Sequence, residues 1–332
     1  MYIVKTCVKI NKLFSAGKVS NFCQMSKKYS IEKDNTNYTF LRSKYKKCNM
    51  YKSINPILFD VTLRDGIQNA NELDWPTDRK KDFLYQITLT ESPKRMEIGS
   101  LVSPKVLPVL RDSVHMYDYS QEIITKHKTD FYILIPSLNK LDFAINHKIK
   151  NVSFITSVSN SFQKKNTRRT LEETKNELNK MNDILRQEAN LYIRTKLYIS
   201  CITECPIEGK QDIDYVLREI LHYHTTTKFD ELCLSDTCGT LTFDDYEYLL
   251  DALLFFGIPV SKISLHLHAN KQNIDNLRRI LWYSFDKKVN KFDVSMLETG
   301  GCSVTMKQDQ ILPNLSYDLF YEILDRYIQC KV

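Results

Sequence analysis

The segment ILFDVTLRDGIQ, residues 57–68, begins as a strand and ends as something else. Apolar and β-branched residues run to Leu63, and then Arg64-Asp65-Gly66 sets a guanidinium and a carboxylate side by side on a turn. Charges on a turn after a strand are ordinary, so the segment gains meaning only from what recurs after it. Further β-rich runs follow at KRMEIG (94–99), DFYILI (130–135), NVSFIT (151–156), TKLYISC (195–201), DELCLS (230–235), KISLHL (262–267) and KFDVSM (291–296). Helical periodicity fills the gaps, most plainly at 171–191, and also near 78–90, 105–126, 137–147, 211–224, 243–256, 271–285 and 316–328. Together with ILFDVTL (57–63) this is a strand–helix unit repeated eight times, which predicts an α/β protein with a closed (β/α)8 TIM barrel. An open doubly wound sheet is the competitor, but no GxGxxG follows any of these strands.

A barrel gathers reactive groups just beyond the C-terminal ends of its strands. In order, those ends carry Arg64-Asp65, Glu97, Ser137, Ser159-Asn160, Cys201, Asp236-Thr237, His266 with His268, and Gly300-Gly301-Cys302. In SLHLHAN, His266 and His268 are two residues apart, and i and i+2 share a strand face, so both imidazoles can point into the barrel mouth. Asp65 would stand nearby, with only the eighth strand between the first and the seventh. One carboxylate and two imidazoles make a three-ligand face suited to Mg²⁺ or Mn²⁺, with Zn²⁺ as an alternative. Asp60 and Asp293 fall within strands and are expected to line the barrel interior. Cys201 and Cys205 are read as packing residues near the site.

The bulk numbers describe an ordinary globular protein of 332 residues, 42% apolar and 26% charged, with net charge +7. The basic excess is concentrated early, since the first 30 residues hold six lysines and no acid. Residues 1–54 are therefore expected to be a disordered basic N-terminal extension, with an organelle presequence as the alternative, and residues 55–332 the barrel domain. No basic cluster with interleaved aromatics argues for nucleic acid, and no run approaches the about 20 apolar residues of a membrane span. Nine cysteines without paired CxxC knuckles read as reduced thiols in an intracellular protein, cytoplasmic or mitochondrial.

DVTLRDGIQNA, MEIGSLVSPKVLP, SNSFQKKN, YISCITECPIEGK, LSDTCGT, HLHAN and FDVSMLETGGC occur in one order across about residues 55–328. As a set they resemble the 3-hydroxy-3-methylglutaryl-CoA lyase family, in the TIM-barrel superfamily that also holds the isopropylmalate and homocitrate synthases. The resemblance implies a divalent cation, Mg²⁺ or Mn²⁺, on Asp65, His266, His268 and an Asn, for which Asn314 is the candidate. It implies that Arg64 stabilises the enolate oxygen of departing acetyl-CoA, that Glu97 orients Arg64 and substrate, and that Cys302 moves a proton. It also implies that Asp236 stands near the substrate hydroxyl; His266 counts among the catalytic residues as well. The implied reaction is cleavage of 3-hydroxy-3-methylglutaryl-CoA to acetyl-CoA and acetoacetate, with an acyl-CoA as the small-molecule partner and a homodimer as the possible assembly. Ala269 after the HxH pair and the glycine-free SVTMKQDQILP after Cys302 depart from the family pattern. A related acyl-CoA condensing enzyme or aldolase, or a catalytically weak barrel acting as a scaffold, are the alternatives.

Overall fold

The computed structural model describes residues 50–301, 305–306 and 311–331, and of residues 124–127 the backbone alone. The expected N-terminal extension thus lies almost wholly outside the described residues. The described residues hold ten strands: β1 (Ile57–Asp60), β2 (Arg95–Ser100), β3 (Asp130–Leu134), β4 (Asn151–Ser157), β5 (Arg194–Ser200), β6 (Glu204–Cys205), β7 (Gly209–Lys210), β8 (Glu231–Ser235), β9 (Ile263–His266) and β10 (Lys291–Val294). Eight of them, all but the β6–β7 hairpin, close into a barrel in the order β1-β10-β9-β8-β5-β4-β3-β2. Neighbours in the ring are parallel, as eight strands joined by helices require. The helices are α1 (Thr77–Thr90), α2 (Ser113–His127), α3 (Leu138–Asn146), α4 (Asn160–Thr167), α5 (Leu171–Leu185), α6 (Ile213–Thr226), α7 (Phe243–Phe255), α8 (Ile274–Asp286) and α9 (Tyr317–Lys331). The architecture is the (β/α)8 TIM barrel.

The chain divides into two compact units, Ile57–Tyr317, which holds the barrel strands, and the two terminal segments outside it. In the second unit α9 buries Phe320, Leu324 and Ile328 at helical spacing. Among the described residues no helix is long and apolar enough to cross a membrane.

The bore sets a charged network beside an apolar cluster of Phe59, Val61 and Tyr132, while the outer face is mostly apolar. Arg95, Lys196, Glu231, Lys291 and Asp293 come from four different strands and meet in the bore: Glu231 pairs with Arg95 at 2.5 Å, with Lys291 at 3.1 Å and with Lys196 at 3.4 Å, and Lys196 also pairs with Asp293. Met96, Leu197, Leu232 and Phe292, one position along on the same strands, are buried on the opposite face, where Phe292 meets Phe285 of α8 edge to face at 5.6 Å. Charges so buried persist only when paired. Burial opposes ionisation of Glu231, yet Lys196, Lys291 and Arg95 bring its pKa down to about 2.

Several expected boundaries move, each for a local reason. β1 stops at Asp60 rather than running to Leu63, because the Asp60 carboxylate accepts from the Thr62 backbone N–H and hydroxyl, both at 2.9 Å, and turns the chain. The helix expected from about 105 starts at Ser113, after a single 3₁₀ turn at Pro108–Leu110. The long helix expected at 171–191 ends at Leu185 and yields to a 3₁₀ turn at Glu188–Asn190. Its start is fixed by a capping box between Thr170 and Glu173. Asp60 does not line the bore: Phe59 and Val61 pack inward with Tyr132, so Asp60 points away, and it accepts from the Tyr317 hydroxyl at 2.9 Å. Asp293 does face inward.

Candidate active site

The turn that ends β1 builds the centre of the site. Thr62–Gly66 winds as one π-helical turn, closed by the Gly66 N–H donating to Val61 O at 3.0 Å. A π turn presents consecutive side chains at an angle a strand cannot, and such turns recur at functional sites. Here it buries both Arg64 and Asp65. Arg64 Nη1 donates to Asp65 Oδ1 at 2.5 Å, and Arg64 Nε donates to Glu97 on β2. Glu97 is in turn held by the hydroxyls of Ser153 and, at 3.2 Å, Tyr198. The Tyr198 ring lies 5.1 Å below the Arg64 guanidinium carbon, a cation–π distance. Nε and Nη1 are thus engaged, and Nη2 is the edge of the guanidinium without a partner among the described residues. Burial works against the Arg64 charge, but Glu97 and Asp65 together hold it firmly protonated.

Asp65 is the junction between this clamp and the far side of the mouth. Oδ1 accepts from Arg64 and from Gln68 Nε2 at 3.1 Å, and Oδ2 accepts from the Gly301 N–H at 3.0 Å and Asn314 Nδ2 at 2.8 Å. Burial favours its neutral form, yet Arg64, His266 and His268 outweigh that and keep it well below the usual carboxylate range. His266 ends β9, and His268 lies two residues on, bridged to Asn314; the two imidazoles are 5.1 Å apart, centroid to centroid. Burial, with His266 close by, lowers the His268 pKa to about 4, so its imidazole is neutral at physiological pH. Its Nδ1 lies 2.9 Å from the carbonyl of Leu312, an acceptor only, which puts the proton on Nδ1 and the lone pair on Nε2.

Arg64, Asp65, Glu97, His266, His268 and Asn314 are therefore joined at one mouth. Asp236, just beyond β8, is tied to the same end by its N–H to His266 O at 3.0 Å. Its carboxylate accepts from the N–H groups of Thr240 and Leu241, at 3.0 and 3.1 Å, while burial raises its pKa to about 6. Cys302 lies outside the described residues. The approach to it is described: Gly301 O accepts from Gln68 and Asn69, and Gly300 sits at φ +131° against Asn314.

Other polar groups at strand ends serve the fold. Ser159 caps α4, with its Oγ accepting from Phe162 N at 3.1 Å. Asn160 Oδ1 accepts from Leu171 N at the start of α5, at 3.0 Å. Ser137 is the N-cap position of α3. Cys205 is buried, and its sulfur accepts from Ser159 Oγ at 3.0 Å and from two loop N–H groups at 3.3 Å, which orders the β6–β7 hairpin.

Among the described residues, no three His, Cys, Asp or Glu side chains are already gathered as a metal cage. The donor set nonetheless suits a hard divalent cation. Among the described residues Asn314 Oδ1 is buried with no hydrogen-bond partner, beside an ionised carboxylate and two imidazoles. A Cβ on Gly300 would come within 2.1 Å of Asn314 Nδ2 and 2.9 Å of Asp65 Oδ2, so the glycine leaves these two side chains their room. Oxygen and imidazole donors without thiolate match the chemistry of Mg²⁺ and Mn²⁺.

The model of the HMGL-like family matches residues 55–272 of the chain. The hydroxymethylglutaryl-CoA lyase YngG of Bacillus subtilis is 30% identical over 245 residues, 73% of this chain and 77% of that one. The chain belongs to the HMGL-like family. Within it, this is a hydroxymethylglutaryl-CoA lyase-like enzyme. The crystal structure of the Bacillus subtilis HMG-CoA lyase superposes with a TM-score of 0.67 at 25% identity, covering 83% of this chain and 92% of that one. The hydroxymethylglutaryl-CoA lyase structure from Pseudomonas aeruginosa shares the fold, with a TM-score of 0.69 at 23% identity over 82% of this chain and 86% of that one.

The reading of the sequence missed what supports the site in this HMGL-like chain: Ser153 and Tyr198 behind Glu97, Gln68 and Asn69 behind the glycines, and Lys196 with Glu231 below. A signal was present in KLYIS, ELCLS and KFDVS, where every second residue is polar or a small thiol. In a barrel covered by helices, that alternation marks the bore.

Proposed function

We propose that the chain cleaves 3-hydroxy-3-methylglutaryl-CoA to acetyl-CoA and acetoacetate by retro-Claisen chemistry. The observation that carries the reading is the Arg64 clamp: a buried guanidinium locked by Asp65 and Glu97, with its Nη2 edge unpartnered among the described residues, at the same mouth as His266, His268 and Asn314. Breaking the bond beside the tertiary alcohol leaves its electron pair on the thioester fragment as an enolate. A fixed cationic donor stabilises that charge as it develops, and preorganisation is what makes such a donor effective. Glu97, Ser153 and Tyr198 hold the guanidinium so that it need not reorganise. The proton of the substrate hydroxyl passes to Asp236, just beyond β8, with His266 at the end of β9 beside it. Cys302, next in the sequence after Gly300 and Gly301, returns a proton to the enolate carbon. A divalent cation, Mg²⁺ or Mn²⁺, held by Asp65, His266, His268 and Asn314 would supply Lewis-acid polarisation of the hydroxyl oxygen.

The test separates binding from chemistry. His266→Ala is expected to weaken Mn²⁺ binding in calorimetry. Arg64→Met is expected to retain Mn²⁺ binding and to lose about 10²–10³ in turnover of 3-hydroxy-3-methylglutaryl-CoA, the loss typical of one preorganised donor. Turnover within about twofold of the parent in both variants removes the assignment.

A further inference from the structure

His266 and Asp293 lie on the adjacent strands β9 and β10 and face the bore. Asp293 Oδ2 is 3.1 Å from His266 Nδ1, and the same oxygen takes the Cys233 thiol at 3.8 Å. Asp293 Oδ1 takes the ammonium of Lys196. That ammonium is 1% exposed, stands 3.7 Å over the Phe59 ring and 4.7 Å over Tyr198, and reaches Glu231 at 3.4 Å. The proposed chemistry uses His266 but neither Asp293 nor Lys196.

We propose that Asp293, fixed in place by Lys196, is a positioning residue that holds His266 in its Nδ1-protonated tautomer, so that Nε2 presents the lone pair. The inference rests on the reading of His266 as a cation ligand. An ionised carboxylate only accepts, so the ring nitrogen facing it must donate. Lys196 secures the ionised state from the other side, because a neutral carboxyl beside a buried ammonium would leave that ammonium half paired. A neutral imidazole with Nδ1–H has its lone pair on Nε2 alone. His268 reaches the same tautomer by a cheaper route, through the Leu312 carbonyl. The two differ in stiffness: Leu312 belongs to the connection after β10, whereas Asp293 is inside a barrel strand and pinned by a second strand. A carboxylate behind a ligating imidazole also raises its basicity.

The discriminating variant is Asp293→Asn. Lys196 is a donor only, so it claims the amide oxygen and turns the amide NH₂ toward His266 Nδ1. The NH₂ can only donate, which forces the proton to Nε2 and removes the lone pair from the mouth. The experiment is two-bond ¹H–¹⁵N spectroscopy on full-length, histidine-labelled, metal-free protein at pH 8. The signals of His266, among seven histidines, are assigned by loss in His266→Gln. The parent is expected to show an unprotonated Nε2 at His266, and Asp293→Asn a protonated one. Calorimetry with Mn²⁺ on the same samples is expected to show a loss of about 10–100-fold in affinity, the usual range for a partner behind a ligand. A folded Asp293→Asn protein that keeps Nδ1–H at His266 overturns the proposal. If that variant does not fold, the parent spectrum decides alone, since a protonated Nε2 there overturns it equally. A parent that takes up no Mn²⁺ removes the cation reading, while the tautomer shift between parent and variant still decides the role of Asp293.

Discussion

Replacing Gly300 by alanine tests the site through stability rather than activity. The backbone there has φ +131°, a conformation that L side chains rarely adopt, and the substitution is strained by about 1–3 kcal/mol on that ground alone. The added Cβ would also lie 2.1 Å from Asn314 Nδ2 and 2.7 Å from its Cγ, so Asn314 has to leave. Its departure breaks the 2.8 Å hydrogen bond to the ionised Asp65, a bond of the class that contributes about 1.5–3 kcal/mol. Gly300→Ala is thus expected to lower stability by about 3–5 kcal/mol in urea unfolding. In an Asn314→Ala background the clash and the bond are already gone and the backbone strain alone remains. The same substitution should then lower stability by only about 1–3 kcal/mol, a coupling of about 2 kcal/mol in the double-mutant cycle. If Gly300→Ala stays within about 0.5 kcal/mol of the parent, or the cycle shows no coupling, Gly300 does not shape this corner.

Acid stability reports the bore. The pKa of Glu231 is about 2 in the folded chain against an ordinary 4.5, so its pairing stabilises fully above about pH 4.5 and is lost as pH falls toward 2. That is about 3 kcal/mol of pH dependence, and Glu231→Gln is expected to flatten the acid limb of a plot of stability against pH while lowering the plateau; an unchanged limb refutes the assignment. At the surface, Thr170→Ala removes half of the α5 capping box and is expected to lower stability by about 1 kcal/mol in urea unfolding, with turnover unchanged.

Much of the architecture was legible because eight β-rich runs alternate with helical ones, and because HLH at a strand end marks a shared face. Boundaries were less so. Nothing in ILFDVTL announces that the Asp60 carboxylate will bond Thr62 and end the strand. Nor does it announce that Asp60 and Asp293 face opposite ways, which follows from the register: Asp293 stands beside Phe59, and Asp60 beside Val294. The site was legible as residues and not as contacts. Gly300 touching Asn314, or Lys196 reaching Asp293 97 positions away, exists only once the ring of strands has closed. Ser137, Ser159 and Asn160 show the reverse error, since polar residues after strands also begin helices.

A sheet that is charged on its concave side has a consequence for how the ring comes together. Early in assembly, before the last strands arrive, the side that will become the bore faces water, and Arg95, Glu97 and Lys196 are comfortable there. An incomplete sheet therefore offers passing chains a concave surface on which charges stand among Phe59, Val61 and Tyr132, and its more apolar side is the one the helices cover. Half-built sheets are where β proteins most often associate wrongly. Closure then sets the wet charges against one another, from four strands at once, so the final step selects the ring in which all of them find partners and penalises one shifted in register.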